Sequence, residues 1–194
     1  MALVVVAKTV FEKPRPGPKN TAGLHGSILL AVLLGLALVG AVRSSAADSG
    51  SVYTVISVFD GDTIQVKGIG GKMTIRLLGI DAPETSKGKG EPGQPYSRKS
   101  QRHLTGLVLN RPVSLKIYGQ DRYGRSLAVV YCNGRDVNRA MLQAGLAEVY
   151  RGRTPEAFDK APYLADEDQA RRSQTGMWRQ GDAYVSPIRW KHPR

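Results

Sequence analysis

The sequence predicts a mainly-β domain of the α+β class: a small closed barrel of five strands carrying about three helices, behind an N-terminal hydrophobic leader. Three observations point there. Short runs rich in β-branched and aromatic residues recur from Val52 and are separated by glycine-containing turns. Helical periodicity enters only after the third of these runs and returns towards the C-terminus. A charge-free apolar stretch at residues 26–42 stands apart from both patterns.

That stretch, GSILLAVLLGLALVGAV, follows Lys8, Lys13, Arg15 and Lys19 against Glu12 alone, and precedes Arg43 and SSAADSG. Basic, apolar and small-residue segments in this order make a secretory signal. The run also approaches the roughly 20 residues that span a bilayer, with its basic side cytoplasmic. A cleaved signal and an uncleaved signal anchor both stay open, with a buried core helix as a third reading. Either of the first two exports the remainder, as a periplasmic, secreted or membrane-anchored protein. The chain thus divides into a leader (1–47), a domain (48–180) and a C-terminal tail (181–194).

Composition narrows the function. With 41% apolar and 23% charged residues in 194, the chain can build a core. Its 28 Lys+Arg against 16 Asp+Glu give +12, which suits a polyanionic partner such as nucleic acid or an anionic membrane. The leader supplies +4 of this, so residues 48–194 carry +8 on their own. The lone Cys132 excludes an internal disulfide and a cysteine metal cluster. His25, His103 and His192 are too scattered for a histidine zinc site. Carboxylates, arginines and hydroxyls are left to do the chemistry.

Taken in order, SVYTVISVF, TIQVKG and KMTIRLLGI read as a three-stranded meander turning at Asp60-Gly61 and Gly70-Gly71. ETSKGKGEPGQP (84–95) has no periodicity and reads as a surface loop. A helix runs from a Ser97 cap to Asn110, with Leu104, Leu107 and Val108 on one face. VSLKIYG and SLAVVYCNGRDV add two strands, the second turning at Asn133-Gly134. A helix then starts at Asp136 or Asn138 and ends at Gly145. After a loop over 151–163, a last helix is expected from about Ala165 to Thr175, and Met177 and Trp178 dock on the body. Five strands with a helix after the third fit an OB-type barrel.

Asp60-Gly61-Asp62 alone reads as a solvated turn in preference to half of a metal site, since the local pattern explains itself as turn chemistry. It changes weight beside IRLLGIDAPET (75–85) and DRYGRSLAVVY (121–131). Asp60, Asp62 and Asp81 are hard oxygen donors of the kind calcium or magnesium takes. Glu84 is a candidate general base. Arg76 and Arg125 suit non-bridging phosphate oxygens. Three unrelated turns would rarely supply three carboxylates, a base and two arginines.

The motifs DGDT, RLLGIDAPE, QPYSRKS, DRYGRSLA, GRDVNRAMLQAGLA and GMW, spread over residues 52–178, resemble those of the staphylococcal-nuclease-like, or thermonuclease, family. The resemblance implies an OB barrel and calcium-dependent hydrolysis of DNA and RNA phosphodiesters. It implies that Asp62, Asp81 and the Ala82 carbonyl hold one calcium ion, with Asp60 one shell out and Thr63 ordering the site. It makes Arg76, Glu84 and Arg125 catalytic, and Arg122, Tyr123, Lys87, Lys89 and Tyr150 substrate-binding. Lys116 would add to the basic surface. Ala82 stands where some members have threonine, Arg122 where lysine is frequent, and Ser97 where glycine often follows the aromatic. The expected protein is a monomer with no protein partner, meeting a membrane only through an uncleaved leader. A non-catalytic OB module binding single strands and an envelope-tethered scaffold are the competing readings.

Overall fold

The structure, a computed structural model, describes residues 52–86, 88, 90 and 92–192. The leader, Lys87 and Lys89 lie outside the described residues. Among the described residues no helix is long and apolar enough to cross a membrane.

Strands β1 (Tyr53–Val58), β2 (Thr63–Gly68) and β3 (Gly71–Leu77) form an antiparallel meander. After a two-residue strand β4 (Ile80–Asp81) and helix α1 (Ser97–Val108), β5 (Pro112–Gln120) pairs antiparallel with β1, and β6 (Ser126–Cys132) with β5. Parallel pairing of β3 with β6, from Ile75↔Ser126 to Leu77↔Ala128, closes these five strands into a barrel. Closure removes the free edges that a five-stranded open sheet would leave. The expected five-stranded OB barrel with helices is the observed one.

Alternation explains the strands. In β2, Ile64 and Val66 point into the core while Lys67 is exposed. In β6, Ala128, Val129 and Val130 are all buried because helices cover the outer face of that strand. Helix α1 places Leu104 and Val108, one turn apart, against the barrel, and α2 (Val137–Gln143) does the same with Val137 and Met141. Cys132 is a buried strand residue. The turn to β7 (Arg135–Asp136) is Asn133-Gly134, both with positive φ, as a tight hairpin demands.

Four boundaries differ from expectation, each for a local reason. Ser97 is the first residue of α1 and not its cap, because Tyr96 occupies the cap in a left-handed conformation. The helix stops at Val108, ahead of a left-handed Asn110. KMTIRLLGI is not one strand: the chain turns at Leu78-Gly79, where φ is +81 at Gly79, so Asp81 sits on β4 instead of ending β3. Strand β4 pairs with β8 (Glu148–Val149) in a separate two-stranded sheet. Helix α3 runs Ala161–Arg172, four residues earlier than expected, with Pro162 inside its first turn. Proline is tolerated there because the N–H it lacks has no partner within the helix.

Residues 176–192, beyond the helices read from sequence, lie on the domain. Gly176–Ala183 forms 3₁₀ turns that bury Met177 and Trp178, and a short helix α4 (Pro187–Lys191) follows. Tyr184 packs its ring 4.6 Å from that of Trp178.

Asn138 connects the barrel to the site described next. Fully buried on α2, it accepts from Val130 N (3.1 Å) and donates to the carbonyls of Ala128 (3.1 Å) and Leu78 (2.9 Å). The Leu78 carbonyl belongs to the turn that leads into Asp81. Asn138→Ala should cost about 3 kcal/mol by removing three buried hydrogen bonds, although the Ala128 carbonyl keeps the Leu78 N–H as a partner. Thermal unfolding would show this as a Tm lower by about 6–12 °C; an unchanged Tm would refute it.

Candidate active site

The stretch Asp60-Gly61-Asp62 links β1 to β2 as a turn. Its two aspartates therefore do not share one side of an extended strand. Asp60 Oδ1 accepts the Asp62 backbone N–H at 2.9 Å, the usual way an aspartate closes its own turn. Gly61 is required by proximity, since a Cβ there would lie 1.9 Å from Ser100 Oγ and 2.7 Å from the Ala82 Cβ. Asp62 turns inward and is buried. Its Oδ2 accepts the Ala82 amide at 2.7 Å and its Oδ1 the Thr63 hydroxyl at 3.0 Å. DGDT and IDAPE, 20 residues apart, thus meet at one carboxylate.

Arg76 joins them. The β2–β3 register sets it opposite Thr63. Its Nη1 lies 3.1 Å from Asp62 Oδ1 and its Nη2 2.9 Å from Asp81 Oδ1. Nη1 also donates to the carbonyls of Ile80 (3.0 Å) and Leu77 (3.2 Å), capping the turn between β3 and β4. Burial works against the guanidinium charge, but Asp62 and Asp81, then Asp60 and Glu84, outweigh it and raise its pKa. Asp81 moves upward, through burial first and repulsion from Asp62 second, despite Arg76 and Lys191. Burial and the charge of Asp62 likewise push Asp60 up to about 7.

Glu84, half-buried, is held through its backbone. Its N–H donates to Gln94 Oε1 (3.1 Å) and its carbonyl accepts the Gln94 N–H (2.9 Å), clamping the base of the 84–94 loop. Nothing in the sequence marks Gln94 for that role, because a glutamine serving backbone groups leaves no motif. Lys191 of α4 was also missed. Its Nζ lies 2.8 Å from both Asp81 Oδ1 and Glu84 Oε1, and it comes from a segment without recognisable periodicity.

Arg125 is held by a different partner from this cluster. It ends the β5–β6 loop, one residue before Ser126, which pairs with Ile75 next to Arg76. Among the described residues no ion pair joins it to Asp62, Asp81 or Glu84. Asp121 holds it instead, accepting from Arg125 Nε (2.7 Å) and N (3.0 Å) and from Tyr123 N (2.9 Å). Partial burial pushes the Asp121 carboxyl up, and these bonds more than reverse that, leaving it below its usual range. Tyr123 is two-thirds exposed, with Arg122 and Arg125 guanidinium carbons 4.8 and 5.5 Å from its ring centre. Tyr150 follows β8, and its N–H donates to Gly79 O at 2.9 Å. That places it, 38% exposed, beside the turn preceding Asp81. Lys116 caps the Tyr118 ring on β5.

The donor chemistry suits a hard divalent cation: carboxylate oxygens with neither nitrogen nor sulfur among them. Among the described residues no three His, Cys, Asp or Glu side chains converge on one point. Asp62 and Asp81 are the two carboxylates that Arg76 brings together, and Asp60 closes its own turn through Oδ1.

A closed OB barrel whose rim gathers buried carboxylates around an arginine defines a class of nucleic-acid-associated architecture. The chain belongs to the staphylococcal nuclease homologue family, whose model matches residues 74–180, more than half of it. It is 37% identical over 140 residues to an "uncharacterized endonuclease" of Escherichia coli O157:H7, covering 71% of this chain and 83% of that one. A second "uncharacterized endonuclease", from Haemophilus influenzae, is 31% identical over 169 residues, 87% of this chain and 86% of its own. A "probable endonuclease" of Paracoccidioides brasiliensis is 38% identical over 131 residues, 61% of this chain and 38% of its own. The chain thus spans most of the bacterial relatives but under two-fifths of the fungal one, and 39% of a plant relative from Capnoides sempervirens.

The Asp60 carboxyl gives a pH prediction. Its folded pKa lies above the ordinary 3.8, at about 7, so the folded state binds the proton more tightly. Stability is complete below the unfolded value and falls as pH rises through about 7. Asp60→Ser keeps an oxygen for the Asp62 amide and removes that fall. In chelator at pH 8 the variant should be about 2 kcal/mol more stable, the full linkage value cut by about half for solvent screening because Asp60 is only partly buried. Urea unfolding at pH 4 and 8 measures it; parallel profiles would refute the assignment.

Proposed function

We propose that the protein is a calcium-dependent nuclease that hydrolyses phosphodiester bonds in DNA, and in RNA as well. The observation that carries this reading is the meeting of Asp62, Asp81 and Arg76 at one point of the barrel rim, with Glu84 joined to Asp81 through Lys191. Membership of the family and the endonuclease names of its relatives support it.

Asp62 and Asp81, with the Ala82 carbonyl, would hold the calcium ion, and Thr63 and Asp60 would steady Asp62. The ion would supply charge stabilisation and a template for the phosphate. Glu84 takes the proton of the attacking water, its backbone clamped by Gln94 so that the carboxylate stays placed. Arg76 spends Nη1 on carbonyls and Asp62 and one Nη2 bond on Asp81. Its Nε–Nη2 edge remains to donate to a phosphate oxygen as charge builds in the transition state. Arg125, aimed by Asp121, approaches from the neighbouring strand and stabilises the same charge or the departing oxygen. Tyr123 offers a flat face to the substrate, and Arg122, Lys87, Lys89 and Lys116 would draw in the backbone. The leader composition supports an exported location, with the protein acting as a monomer.

Zymograms on single- and double-stranded DNA and on RNA test the reading. Cleavage should appear with calcium and vanish with chelator. Glu84→Ala should lower kcat by about 10²–10⁴-fold, the contribution of a positioned base, and Asp62→Ala should abolish calcium-dependent cleavage. Full activity in either variant would overturn the mechanism. Binding to single strands without any cleavage would favour the non-catalytic OB reading. Asp121→Ala, which touches no reacting group, should lower kcat about tenfold by releasing Arg125 while leaving KM nearly unchanged.

A further inference from the structure

We infer that Lys191 is a working residue of the site: a tethered cation that holds Asp81 and Glu84 and competes for Asp81 with a free divalent ion. The C-terminal segment would then set the metal concentration at which the site loads. This rests on the metal-assisted reading above.

The geometry is that of a placed group. Nζ of Lys191 lies 2.8 Å from Asp81 Oδ1 and 2.8 Å from Glu84 Oε1, and three-quarters of its side chain is covered. Asp81 is almost fully buried, so this contact is not a loose surface pair, which would contribute little. It spans 110 residues of chain and brings the last described helix to the loop that follows β4.

The path to that point is pinned at successive places. Tyr184 packs on Trp178 and donates its hydroxyl to Glu148 Oε2 at 2.5 Å. Glu148 is the strand partner of Asp81. The Val185 carbonyl accepts from Gln94 Nε2 at 2.6 Å, and Gln94 is the residue that clamps Glu84. The Ser186 hydroxyl then caps α4, and Pro187 is buried. The segment therefore reads the positions of both Asp81 and Glu84 before presenting its ammonium between them.

An ammonium and a hard divalent ion want the same thing here, carboxylate oxygens freed of water. The lysine has the advantage of attachment, since a short tether presents its group at millimolar effective concentration. The divalent ion has twice the charge and takes more oxygens. Both cannot keep Asp81 Oδ1 as a close partner, so loading the ion should lift Lys191, and with it α4, from the rim and from Glu84. The five-residue helix is short enough to move without unsettling the barrel.

Calcium titration by calorimetry, on the full chain without substrate, tests this together with amide exchange. Lys191→Met should bind calcium about tenfold more tightly than wild type, and Lys191→Arg should stay near wild type. In the wild-type protein, saturating calcium should speed exchange at residues 187–192, while the barrel amides stay protected. Equal or weaker calcium affinity in Lys191→Met, or a helix that remains protected at saturation, would overturn the inference. If such a protein still cleaves DNA with calcium, the nuclease reading stands and only this inference falls. No calcium uptake by wild type or variant would overturn both.

Discussion

The guanidinium of Arg76 holds together what would otherwise come apart. Asp62 ends a turn and Asp81 ends the two-residue strand β4, and both are buried. Two carboxylates so placed repel one another at low local dielectric. Arg76 answers both, and it ties down the Leu77 and Ile80 carbonyls of the turn that carries Asp81. Removing one member of such a set leaves a buried charge uncompensated, which typically costs about 3–5 kcal/mol. The cluster is thus a structural constraint as well as a chemical one, and the register Thr63↔Arg76 is what puts it there.

Charge is arranged in opposition at two scales. The chain as a whole is strongly basic, at +12, while the rim pocket concentrates carboxylates whose protons are held more tightly than usual at Asp60 and Asp81. A polyanion is drawn by the first and would be repelled by the second. Cations reconcile the two: Arg76 from within the barrel, Lys191 from the C-terminal helix, and Arg125 with Arg122 around the exposed Tyr123. Under the proposed function, the positive charge held at this cluster is the variable on which binding of a phosphate would turn.

The residues that sequence reasoning found and those it missed differ in kind. Asp62, Asp81, Arg76 and Glu84 have side chains whose chemistry is visible in any context, and their motifs are short and local. Gln94, Asp121, Asn138 and Lys191 act on backbone groups or on another side chain, at separations from four to 110 residues. A glutamine at the end of a glycine-rich loop or a lysine in a terminal segment looks the same whether or not it holds anything. The misplaced start of α3 has a similar origin: Pro162 reads as a breaker unless one knows that it falls in a first turn.

By itself the sequence determined the class of fold, since alternation in TIQVKG, the Asn133-Gly134 turn and the helical stripes of α1 and α2 are local consequences of side-chain period and backbone sterics. It also determined which functional groups were available. Only the tertiary structure decided that Asp60 closes its own turn while Asp62 faces inward, because that depends on the close approach of Gly61 to Ser100 and Ala82. Only the folded chain pairs Arg125 with Asp121 and brings Lys191 into the carboxylate cluster. Barrel closure and the docking of the last helix are long-range events, and no periodicity in the chain records where they place a charge.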